Sequence, residues 1–218
     1  MLARLLEQAP ENRRALLLYA RVLQSQGRME EALATLERLT ALEPDNVEVR
    51  IARARLLVSA KRYDDALDAF RSISQDAPEN TDVRFALALL LLQTNRLDAA
   101  AEQLEALLER QERETVAHFY LGQITEAQGD AEAAMGHYRE VDEGEHHLDA
   151  QIRIASLLAA AGELEAARAH LHGIATDSVA EDVRLYLVES ELLAEADRLQ
   201  EAVATLGRGL DEHPENTD

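Results

Sequence analysis

An all-α solenoid of about six helix–turn–helix units is the fold this sequence predicts, on three observations. First, one phrase recurs six times: a two-residue turn, an apolar residue, a gap of two, then an alanine. The alanines Ala32, Ala66, Ala100, Ala134, Ala167 and Ala202 fall at intervals of 34, 34, 34, 33 and 35 residues. A fixed period of this size marks stacked supersecondary units, none able to bury its apolar face alone. Second, apolar residues recur at helical spacing on both sides of each turn, as in Leu16, Tyr19, Ala20 and Leu23 before Gly27, and Leu33, Leu36 and Leu39 after it. Third, Pro10, Pro44, Pro78 and Pro214 stand where a second helix must stop, each followed by an acidic residue and Asn.

In chain order, residues 1–12 place Leu2, Leu5, Leu6 and Pro10 as in a second helix whose first helix is missing. Six units follow at 13–46, 47–80, 81–114, 115–147, 148–182 and 183–216, with a tail at 217–218. Their turns are Gly27-Arg28, Lys61-Arg62, Asn95-Arg96, Gly129-Asp130, Gly162-Glu163 and Asp197-Arg198. Acidic pairs such as Glu30-Glu31 and Asp64-Asp65 open second helices, where they favour the helix dipole, and they are assigned to stability. The third, fourth and fifth boundaries lack a proline. Gly136, Gly144 and the loop bearing His146 and His147 interrupt the pattern at the fourth, which predicts a flexible or kinked junction. Ser178, followed three residues on by Glu181, predicts a capping box opening the last unit's first helix. Units at the ends of an array need polar caps, and neither end here reads as one. A segment of a longer array, with exposed ends capable of end-to-end self-association, is therefore expected.

At the level of single positions the chain resembles the tetratricopeptide repeat family, over nearly its whole length. The family's small eighth residue is Ala20, Ala54, Ala88, Gly122, Ala155 and Ser190, and its small twentieth is the alanine series above. At both places the paired helices approach closely and a large side chain would separate them. The bulky twenty-fourth residue is Leu36, Phe70, Leu104, Tyr138, Leu171 and Leu206. Two places depart: the usual alanine at the twenty-seventh is Leu39, Ile73, Leu107, Val141, Ile174 and Gly209, and the aromatic at the fourth is Leu16, Arg50, Arg84, His118, Gln151 and Tyr186. The resemblance implies a right-handed α-α superhelical solenoid of about six repeats, whose pitch these departures would alter.

Composition narrows the function. The net charge of −20 argues against nucleic acid, which needs clustered cations to replace condensed counterions. Residues 1–114 carry 16 basic and 20 acidic groups, a net −4, whereas 115–218 carry 6 and 22, a net −16; the surplus reads first as a solvated face that keeps the protein soluble, with steering of a basic partner toward the C-terminal half as the sharper alternative. No apolar run approaches the twenty residues of a membrane span. Cysteine is absent, which removes thiolate metal sites, disulfides and cysteine nucleophiles. No phosphate loop, serine elbow or His-Glu-x-x-His motif occurs. His137, His146 and His147 gather near Asp142, Glu143, Glu145 and Asp149, and this cluster reads as a solvated loop rather than a zinc site, which needs three or four held ligands. His170 and His172 are about 200° apart around a helix and cannot chelate from one face. No catalytic residue, cofactor or metal is assigned.

The second, fifth, ninth and twelfth places of a unit form one stripe of its first helix. In the family this stripe resembles a concave lining, so the resemblance implies a partner-binding groove. Its predicted residues are Leu17, Arg21, Ile51, Arg55, Phe85, Leu89, Leu92, Phe119, Gln123, Ile152, Ser156, Leu187 and Glu191, with Phe85 and Phe119 as aromatic anchors. The family's clamp for C-terminal carboxylates is absent, because the places that would carry it read Leu17, Arg21, Ala52, Asp82 and Ala86, or Ile51, Arg55, Ala86, Val116 and Tyr120. The expected function is a non-catalytic scaffold or adaptor for a peptide, helix or protein. The arginine-rich, lysine-poor composition looks bacterial, and similar arrays assemble secretion, polysaccharide, pilus or protease complexes at the envelope. The periplasm is preferred to the cytoplasm, with any signal or lipobox lying upstream of residue 1. The alternative is the regulatory or substrate-selecting arm of an enzyme whose catalytic domain lies outside this chain.

Overall fold

The computed structural model describes residues 11–213, so the expected helix over 1–12, apart from Glu11 and Asn12, lies outside the described residues, as do Pro214, Glu215 and Asn216. The described residues form twelve helices and no strand. They divide into two compact units, 11–112 and 113–213.

In the first unit, α1 (Arg13–Ser25) pairs with α2 (Met29–Leu42), α3 (Val47–Ser59) with α4 (Tyr63–Asp76), and α5 (Thr81–Gln93) with α6 (Leu97–Leu108). Consecutive pairs pack through α2 on α3 and α4 on α5. The asparagine after each proline explains the start of each first helix. Asn12, Asn46 and Asn80 sit in extended backbone and accept from the amides of Ala15, Val49 and Val83, satisfying a donor that the helix leaves orphaned. The turns close because Gly27, Lys61 and Asn95 take left-handed backbone, with φ of 75°, 58° and 57°. Buried Ala20, Ala32, Ala54, Ala66, Ala88 and Ala100 let the paired helices approach, and Leu36, Phe70 and Leu104 fill the space between them.

In the second unit, α7 (Glu114–Ala127) pairs with α8 (Ala131–Arg139), α9 (His147–Ala160) with α10 (Leu164–His172), and α11 (Val179–Glu195) with α12 (Leu199–Glu212). Here α9 also touches α11 directly. The expected capping box is present in altered form. Ser178 Oγ accepts from the Glu181 amide at 3.3 Å, while the Glu181 carboxylate reaches one residue further back, to the Asp177 amide at 2.7 Å.

At the fourth junction, for which the sequence predicts a flexible or kinked connection, residues 142–145 are exposed but the residues on either side are packed. Val141 is fully buried, the His147 ring bonds through Nδ1 to the Val141 carbonyl at 2.8 Å, and the His146 ring stacks on Phe119 with centroids 4.3 Å apart and planes 2° from parallel. The loop lost its proline and asparagine but is held by ring packing instead.

Candidate functional site

Each unit carries a groove between neighbouring first helices, and the two grooves differ in size and in charge. In the first unit, α3 and α5 enclose a cavity of about 220 Å³ lined by Arg55, Val58, Phe70, Ala86, Leu89, Leu90 and Gln93. The predicted Arg55 and Leu89 thus meet there, with the buried Phe70 ring of α4 as floor. Leu17, Ile51, Phe85 and Leu92 are half-buried on the same stripes but do not line this cavity. Arg21 and Arg55 are exposed and enter no ion pair among the described residues. Their neighbours on other faces are committed: Arg50 binds Asp76 at 2.7 Å, Arg53 binds Glu37 at 3.2 Å, and Arg96 binds Asp64 at 2.6 Å.

In the second unit, α9 and α11 border a wider cavity of about 690 Å³. The predicted Ile152, Ser156 and Glu191 line it together with Val188, Leu192, Glu195 and Arg198. Gln123 is half-buried on α7 and Leu187 exposed on α11, both outside this lining. Phe119 requires a correction. It is 5% exposed and belongs to a core with Ala134, Tyr138, Val141, Ala150 and Ile154, so it cannot anchor a partner without repacking. The cause is local: the 140–146 connection folds His146 over the ring face that a regular repeat would leave open.

The histidines disperse. His137 meets His118 on α7, Nδ1 to Nδ1 at 3.1 Å, rather than joining His146 and His147. The ring centroids are 5.4 Å apart, the length of a straight hydrogen-bonded pair. Among the described residues no three His, Cys, Asp or Glu groups are placed to hold a metal ion.

A third feature escaped the sequence reading. Glu189 of α11 is 2% exposed, yet Arg168 Nε donates to it at 2.9 Å, His172 Nε2 lies 2.9 Å from its other oxygen, and Arg208 stands at 3.6 Å. Burial pushes this carboxyl up, but the bonds from His172 and Arg168 overcome that and hold it below its ordinary value. A signal for the pair existed. Glu189 occupies the seventh place, where the other units carry Tyr19, Arg53, Leu87, Leu121 and Ile154, and Arg168 the twenty-first, where they carry Leu33, Leu67, Ala101, Met135 and Val203. A charged exchange at each of two mainly apolar places, with opposite signs, is what a buried ion pair leaves in a repeat.

The comparisons agree with this architecture. Tetratricopeptide repeat models match residues 1–56, 57–119 and 152–217. The TPR repeat-containing protein PA4667 of Pseudomonas aeruginosa is 38% identical over 100 residues, and the match spans 46% of this chain but only 17% of the length of that relative. Among solved structures, YrrB, a TPR protein with an unusual peptide-binding site, superposes with a TM-score of 0.64 at 21% identity over 91% of this chain and 98% of its own. MamA from Desulfovibrio magneticus RS-1 does so at 0.64 and 16% identity over 73% and 91%, and a tetratricopeptide repeat protein from Parabacteroides merdae at 0.64 and 16% over 96% and 83%. With its repeat positions, helix pairing and family models in agreement, the chain belongs to the tetratricopeptide repeat family.

Proposed function

We propose that this chain is a non-catalytic interaction scaffold that holds a peptide, helix or protein partner in the grooves of its first helices. The observation that carries the reading is the α3–α5 groove, where Val58, Leu89 and Leu90 stand beside an arginine, Arg55, that no carboxylate of the described residues neutralises. Apolar surface bordered by an uncommitted charge suits an amphipathic ligand, with the charge setting orientation and association rate. Phe85, half-buried on the same stripe of α5 but outside the cavity lining, offers a second aromatic position to such a ligand. The bacterial relative supports an adaptor in a bacterial complex, and we favour one assembled at the envelope.

The test is to capture a partner with the full-length parent, identify it, and measure its affinity for variants of this chain. Leu89→Glu and the pair Arg21→Glu with Arg55→Glu should weaken binding, while Glu102→Ala on the second helix α6 should not. Unchanged binding in both groove variants, with loss in a second-helix variant, would place the partner elsewhere.

A further inference from the structure

The α9–α11 groove reverses the charge of the α3–α5 groove. Its apolar floor is Ile152, Val188 and Leu192, and it is opened by Ser156 and Ala159 at the ninth and twelfth places, where the α3 helix carries Arg55 and Val58. Its rim carries Glu191 and Glu195, one helical turn apart on α11, exposed and without an ion pair among the described residues. Arg198 borders the same groove but is already consumed. It binds both oxygens of Glu201, at 2.6 Å and 2.5 Å, and also pairs with Glu165. The uncommitted charge of the groove is therefore negative, in the half of the chain that carries a net −16.

We infer that this groove receives an amphipathic helix carrying basic residues, with its apolar face on the Ile152–Leu192 floor and lysine or arginine opposite Glu191 and Glu195. This rests on the groove reading above and adds the sign of the ligand's charge. Carboxylates at i and i+4 are about 6 Å apart along the axis, the repeat at which a partner helix presents cations from one face.

The probe is a fluorescently labelled amphipathic peptide of leucine and lysine, compared by anisotropy with a scrambled peptide of the same composition and with a leucine–glutamate counterpart. The full chain should bind the leucine–lysine helix at least about tenfold more tightly than either control, and the binding should weaken as salt rises. Glu191→Gln with Glu195→Gln should cost about tenfold and flatten the salt dependence. Ala159→Trp should abolish binding by filling the groove, and Ala159→Met serves if circular dichroism shows the tryptophan variant to be misfolded. Loss in the groove-filling variant with no change in the double Gln variant would overturn the charge inference and leave the groove reading intact. No change in either would overturn both for this unit. Equal binding of the scrambled peptide, or preference for the leucine–glutamate helix, would also overturn the proposal.

Discussion

At the residue scale the repeat is kept by exchanges of volume between places that face each other. A Cβ built on Gly122 would stand 2.5 Å from Cε1 of the fully buried Tyr138, so the fourth unit's largest twenty-fourth residue coexists with its smallest eighth. The same logic explains the departures at the fourth and twenty-seventh places. Gly209 lies so close to Tyr186 that a Cβ would come within 3.0 Å of the ring, and Tyr186 is the one aromatic at its place in the six units. In the two units whose twenty-seventh residues are Ile73 and Leu107, the fourth is an arginine whose head reaches out to polar groups: Arg50 to Asp76 and Arg84 to Gln103. Gly122→Ala should therefore destabilise the chain by about 1–3 kcal/mol through overpacking, and Tyr138→Leu in the same chain should recover part of the loss. Chemical denaturation of the two variants checks this, and equal stability of Gly122→Ala and the parent would refute the close approach. Glu189 gives a second prediction. Its folded value lies below the ordinary carboxylate range, so its contribution is complete above that range, at about pH 4.3, and is lost as pH falls through the folded value. Glu31, Glu165 and Glu201 are also lowered by arginine partners, but they are largely exposed and screened, so the buried group dominates. Stability followed from pH 6 downward should fall less steeply in Glu189→Gln, whose stability at pH 6 is already reduced. Parallel curves would show that Glu189 does not govern the acid limb.

At the element scale, turns and caps are the parts that sequence chemistry specified most closely. All six first turn residues, from Gly27 to Asp197, take positive φ, three as glycine and three as Lys61, Asn95 and Asp197. A side chain in left-handed backbone costs about 1–2 kcal/mol, partly offset by the greater unfolded entropy of glycine. Lys61→Gly should raise stability by about 0.5–1 kcal/mol, and Asn46→Ala should lower it by about 1 kcal/mol through loss of the bond to the Val49 amide. Urea midpoints with unchanged slopes would check both. Helix pairs, alanine contacts and proline boundaries were legible because each is a local constraint repeated in register. The groove was legible only in part. Helical spacing put Arg55, Leu89, Ile152, Ser156 and Glu191 on the stripe that the family resemblance implied as a lining, and these five do line the two cavities, but spacing could not see that the 140–146 connection turns a histidine onto Phe119. That contact depends on the path of an irregular loop, and no period encodes it. The Glu189 network was missed for the opposite reason: its residues stand in regular helices, and only a comparison of charge between repeat positions reveals it.

At the scale of the whole molecule, charge is divided unequally between two bodies of similar size. The first has near balance, and much of its charge is paired across repeats. Arg62 reaches back to Glu30 at 3.7 Å and Arg96 to Asp64 at 2.6 Å, an arginine of one turn holding the opening carboxylate of the preceding second helix. The second body repeats that contact in Arg198 with Glu165, but its other turns place Asp130 and Glu163 where the arginine should be. Its net charge of −16 is thus only partly offset by pairing, and like charges oppose the compact state. The last helix adds a second source of weakness. On α12 the apolar stripe of Leu199, Val203, Leu206 and Leu210 is exposed, Val203 at 70%, whereas Leu33 and Leu67 at the place of Val203 are buried. Added salt should then act in opposite directions on the two bodies. Screening weakens paired surface charges, which slightly lowers amide protection in 13–112, and relieves the unpaired repulsion in 113–213, which raises protection there. Hydrogen exchange of the intact chain at low and moderate sodium chloride measures both at once. Within the second body α12 should exchange fastest among the helices at either salt, because its packing is one-sided. A uniform response of the two bodies to salt would show that repulsion in the acidic half is already neutralised by its local pairs.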